Sequence, residues 1–143
     1  MSIIGNTKQN RSRTLEGFYM NFANDKNPSW AKIGNDMLDF LGMINQTFKE
    51  TIIWGLTSHE YLILQTKDDY ESDSFVVINS SGDKEYHFDH QKPSDKNLKT
   101  LIRIKGQTKS LEDAKKYLLI AMKESGGWTD NTELKKLLLD NDL

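Results

Sequence analysis

Between Phe48 and Thr51 the hydrophobic period of this chain changes, and that change limits the possible folds more than any other feature. Upstream, Trp30, Ile33, Met37, Leu41, Ile44 and Phe48 recur at steps of three and four, the stripe of an amphipathic helix. Ser29 precedes them as an expected N-cap. Downstream, apolar residues recur at about every second position, the period of a strand with one buried face. The helical period returns only after Ser110. A chain that changes period in this way segregates its helices from its strands, which predicts an α+β fold.

The β-rich stretch divides into five runs. Thr51–Leu56 and Glu60–Thr66 flank Thr57-Ser58-His59, and Asp73–Asn79 and Lys84–His90 flank Ser80-Ser81-Gly82-Asp83, where Gly82 suits a positive φ. Leu98–Lys105 is the fifth run, with Leu101, Arg103 and Lys105 alternating with Ile102 and Ile104. Helices are expected over Thr14–Ala23, from Ser110 to the Gly126-Gly127 stop, and over Glu133–Leu139. The expectation is a single α+β domain over residues 14–143. Its core is an antiparallel sheet of about five strands, connected as a meander and flanked by N-terminal and C-terminal helices.

Residues 1–13 are polar and basic and are expected to form a flexible tail. They contain no continuous apolar segment, so no secretory signal is expected, and no stretch is long and apolar enough to predict a membrane span. The chain has 143 residues, enough to bury roughly two-thirds of its surface on folding without a disulfide or metal. It has no cysteine, which excludes thiolate chemistry and Cys-based zinc sites and suits a reducing cytoplasm. A net charge of −2 carries no general attraction for nucleic acid.

Catalytic constellations are sparse. No Gly-x-Ser-x-Gly elbow, P-loop or Gly-x-Gly-x-x-Gly occurs, so no catalytic, cofactor or metal-binding residue is assigned and the chain is expected not to be an enzyme. His87 and Asp89 would share a strand face, but strand alternation alone explains a polar row opposite Tyr86 and Phe88.

The most unusual composition is Lys67-Asp68-Asp69-Tyr70-Glu71-Ser72-Asp73, four acids and a tyrosine between two strands. Clustered carboxylates beside a rigid aromatic suit the capture of a basic protein. Asp83, Glu85, His87 and Asp89 on the next hairpin extend the patch if the two hairpins lie side by side. The expected partner-binding set is therefore Asp68, Asp69, Tyr70, Glu71, Asp73, Asp83, Glu85, His87 and Asp89. The expected function is a small cytoplasmic inhibitor of the immunity kind, neutralising a basic toxin such as a nuclease.

Two alternatives belong to other classes. If Arg103 and Lys105 share a sheet face with Trp54 or Tyr61, that face resembles a platform for single-stranded nucleic acid. A secretion-type chaperone would instead hold an extended segment along a sheet edge.

Overall fold

Asn27 and Pro28 start the longest helix. The Asn27 side chain accepts a hydrogen bond from the Ser29 amide at 2.9 Å, and Pro28 occupies the first helical position, where its missing N–H costs nothing. The helix therefore begins before Ser29, the expected cap. In the computed structural model, which describes residues 2–9, 14–69, 73 and 75–143, the described residues form four helices and six strands. In chain order these are β1 (Ile3–Gly5), α1 (Leu15–Ala23), α2 (Pro28–Thr47), β2 (Ile53–Ser58), β3 (Tyr61–Gln65) and β4 (Val76–Ser80). β5 (Tyr86–Pro93), β6 (Leu101–Thr108), α3 (Leu111–Ser125) and α4 (Thr132–Asp140) follow.

The strands lie in one sheet in the order β1-β2-β3-β4-β5-β6. From β2 to β6 each strand is antiparallel to its neighbour, as the meander expectation had it. β1 corrects that expectation, because it pairs parallel to β2, with Ile3 opposite Ile53 and Gly5 opposite Gly55. The sheet is thus mixed and six-stranded. Residues 3–5 also correct the reading of 1–13 as a tail. Ile3 is buried, and Asn45 of α2 accepts the Ser2 and Ile3 amides at 2.8 and 3.0 Å. Three residues are too few to show a period, and the groups that hold them lie more than forty positions away.

Alternation along the strands sets the core. Ile53, Leu62, Leu64, Val76, Ile78, Tyr86 and Phe88 point to one face and are buried. α2 and α3 cover that face: Phe40 meets Tyr86 and Phe88 at ring separations of 5.4 and 6.0 Å, and Tyr117 meets Phe88 at 4.6 Å. Each such aromatic contributes about 2–3 kcal/mol by burial. α1 approaches α2 at Gly34, and Leu15 fills the space over Gly55 on β2. Trp128 is buried against Phe75, while Trp30 sits at the rim against Phe22, 38% exposed. α4 buries Leu134 and Leu138, and its Glu133 carboxylate accepts the backbone amides of Lys49, Glu50 and Thr51. No helix among the described residues is long and apolar enough to cross a membrane.

Candidate functional site

The expected acidic surface depends on where two connections fall. The β3–β4 loop enters β4 at Val76, and the β4–β5 turn leaves it after Ser80. The two connections therefore lie at opposite ends of β4, separated by its five residues, about 15 Å of strand. Asp68, Asp69 and Asp73 belong to one end, and Asp83 and Glu85 to the other. The hairpins are adjacent, but Asp83 and Glu85 do not merge with the loop acids, whereas Asp89, opposite Val77, lies toward the loop end of β4.

Most of these acids also have partners. Asp68 accepts the Thr7 amide at 2.9 Å and the Thr7 hydroxyl at 2.6 Å, and these bonds hold its carboxyl below the usual range. Asp83 pairs with Lys32 at 3.3 Å, and Glu85 lies 3.4 Å from the His87 ring. Asp89 is gripped by Arg103 of β6, whose Nε lies 2.9 and 2.8 Å from its two carboxylate oxygens. Asp69 and Asp73 are exposed. Tyr70 and Glu71 lie outside the described residues.

The turn at Gly82 is built as its sequence suggested. Gly82 has a φ of 96°, and Asp83 and Lys84 follow it at 55° and 62°. The buried Asp36 of α2 anchors this turn, accepting the Ser80 hydroxyl at 2.7 Å and the Lys84 amide at 2.9 Å. Lys84 bridges Asp36 and Asp39, and these carboxylates raise its pKa against the opposing effect of burial. Tyr86 donates its hydroxyl to the Asp36 carbonyl at 2.7 Å, and burial pushes its pKa up. These contacts fix the start of β5 against α2, so the side chains of β5 are presented from a rigid frame.

What the tertiary structure assembles instead is the face opposite the helices. Ser58 pairs with Tyr61, Ile63 with Val77, Val77 with Asp89, Asn79 with His87, and Asp89 with Lys105. Directly opposed residues share a face. Tyr61, Val77, Asn79, His87, Asp89, Arg103 and Lys105 accordingly line one groove of about 510 Å³ across β3 to β6. Its rim includes Tyr61, 39% exposed, and Lys105, which forms no ion pair among the described residues. Trp54 lies on the same face but on β2, outside the groove. Of the described residues of the expected partner-binding set, only His87 and Asp89 line it.

Histidine chemistry divides along the same alternation. The His87 ring lies 3.0 Å from the Ser81 hydroxyl on the open face. His90 points into the helix layer, where Nε2 lies 3.0 Å from Glu124. Among the described residues, no three His, Asp or Glu side chains are grouped so as to hold a metal ion.

Sequence reasoning had Tyr61, Arg103 and Lys105 on one face only as a condition of an alternative, and it missed Val77 and Asn79. The period-2 pattern of Val77 and Asn79 was readable, but which strands flank β4 was not. No protein-family model matches this chain, and neither a curated protein nor a solved structure matches it.

Proposed function

We propose that this chain is a non-catalytic protein-binding module, of the inhibitor or immunity kind, that docks through the open face of β3 to β6. The observation that carries this reading is the groove in which Tyr61 of β3, His87 of β5 and Arg103 and Lys105 of β6 stand together across one hydrogen-bonded sheet. Tyrosine and arginine are the side chains that dominate protein interfaces, because they offer large contact area with polar tips. Held on strands, they lose little freedom on binding. The acids of the β3–β4 loop then serve as a peripheral contact, and the reason for preferring a basic target weakens. A partner with carboxylates opposite Lys105 and an apolar residue over Tyr61 and Val77 fits the face better.

The nucleic-acid reading keeps one specific observation in its favour, since Tyr61, Arg103 and Lys105 do line the same groove. Against it, Asp89 occupies the Arg103 guanidinium and places a negative charge in the groove floor. A single tyrosine is also fewer than a stacking platform uses.

The test is co-expression with the products of the adjacent reading frames, followed by affinity measurement on any complex that co-purifies. Tyr61→Ala and Lys105→Glu are expected to weaken binding tenfold or more, while Asp68→Lys with Asp69→Lys changes it less. The reverse ranking would return the site to the acidic loop. Salt-dependent binding of a labelled single strand, lost in Lys105→Glu, would establish the nucleic-acid reading instead.

A further inference from the structure

The two edges of the sheet are finished differently. At one edge β1 is three residues long, and Asn45 takes up the amide of its first residue, Ile3, and that of Ser2 before it. The other edge is β6, eight residues that pair with β5 on one side and, among the described residues, with no strand on the other. An open strand presents a row of backbone donors and acceptors ready for one more strand. Apolar side chains cluster at its start, where Leu98 is 78% and Leu101 59% exposed. On the helix side, Ile102 and Ile104 continue the core face beyond the cover of α3, and neither is fully buried. Gln107, Lys116, Tyr117, Ile120 and Leu143 line a groove beside this edge.

We infer that the free edge of β6 accepts an extended segment of a partner protein as a seventh strand, with acidic side chains on the open face and apolar ones on the helix face. The charges select this occupant. Lys105 stands on the open face of β6 with no ion pair among the described residues, beside Arg103, whose guanidinium Asp89 already holds. Exposed Lys99 and Lys109 lie just beyond the strand's two ends. Glutamate or aspartate at alternate positions of the incoming strand meets this row, and the residues between them pack on Ile102 and Ile104. Strand addition takes affinity from backbone bonds and specificity from such alternate side chains.

A second copy of the chain is the obvious rival, and the same charges disfavour it. Antiparallel self-pairing that keeps the faces matched over at least five residues of β6 can centre on Gly106, where Lys105 meets Gln107; the other such registers centre on Arg103, Ile104 or Lys105. These last three place Arg103 opposite Arg103, Arg103 opposite Lys105, or Lys105 opposite Lys105. Like charges directly opposed destabilise a strand pair. The basic residues thus disfavour three of these four self-pairing registers, including the two of longest overlap, while admitting an acidic strand.

The edge shares Arg103 and Lys105 with the groove on the open face but not Tyr61, and one experiment separates the two proposals. The isotope-labelled full chain is titrated with an acetylated eight-residue peptide of alternating valine and glutamate, and with its valine–lysine counterpart. The expected result is at least tenfold tighter binding of the acidic peptide, with the largest amide shifts and slowed hydrogen exchange in residues 101–108. Lys105→Glu is expected to weaken it at least fivefold with an otherwise unchanged spectrum. Tyr61→Ala is expected to leave it intact even if the open-face proposal fails. Equal binding of both peptides, shifts centred outside β6, or loss of binding in Tyr61→Ala would overturn the inference. So would a dimer that protects β6 without any peptide.

Discussion

Arg103 and Asp89 face one another diagonally across the β5–β6 ladder, with the guanidinium Nε 2.9 and 2.8 Å from the two carboxylate oxygens and a further bond from Nη2. The Asp89 carboxylate raises the guanidinium's already high pKa, so Arg103 stays charged throughout the accessible pH range. The pair shapes the open face by neutralising one acid and orienting one base. Exposed pairs of this kind contribute little net stability. Asp89→Ala is therefore expected to leave the urea midpoint nearly unchanged while releasing the Arg103 side chain, read as faster exchange of its Nε proton. A large loss of stability would mean that the pair holds β6 in place.

Asp36 is the opposite case. Its carboxylate is buried and takes hydrogen bonds from the Ser80 hydroxyl and the Lys84 amide, joining α2 to the β4–β5 turn. Asp36→Ala leaves a buried hydroxyl without its acceptor, at an expected cost of about 2–3 kcal/mol. Denaturant unfolding measures this. A loss below about 1 kcal/mol would show that the turn finds other partners.

Two glycines of α2 are expected to respond to alanine with opposite signs. A Cβ at Gly34 would lie 2.3 Å from the Ala23 nitrogen and 2.7 Å from the Phe22 carbonyl carbon, and backbone on the neighbouring helix yields poorly. Gly34→Ala is expected to destabilise by about 1–3 kcal/mol through overpacking. At Gly42 a Cβ meets nothing within 4 Å, so Gly42→Ala is expected to stabilise by about 0.5–1 kcal/mol through helix propensity alone. Thermal melts of the two variants check both signs.

Glu133 gives the fold an acid-sensitive tie. Burial alone would raise its pKa, but hydrogen bonds from the Thr51 side chain and from the amides of Lys49, Glu50 and Thr51 outweigh it and lower the value. A lowered folded pKa stabilises the fold above the unfolded carboxyl value of about 4.3. That stability is lost as pH falls through the folded value. Glu133→Gln is expected to cost about 1 kcal/mol at neutral pH after allowing for solvent screening. It should also flatten the stability profile on the acid side. Urea melts between pH 3 and 7 test it; an unchanged acid slope would remove Glu133 from that account.

Local chemistry settled much of this protein in advance. The stripe from Ile33 to Ile44 places α2, the alternation around Tyr86 and Phe88 places β5, and Gly82 marks a turn that needs a positive φ. Each rests on neighbours close in sequence, where helical or strand spacing acts directly. What lay beyond reach depended on distant partners. Ile3–Gly5 becomes a strand because β2 and Asn45 supply its hydrogen bonds. Asp68 is tied to Thr7, sixty-one positions earlier, and Asp89 to Arg103. Composition marks carboxylates as a cluster but carries no information on which cations and donors will meet them. Pairing across the sheet decided that, and with it which side chains face solvent together: the strand periods were local, while the proposed docking face came from strand order and from the ends of β4.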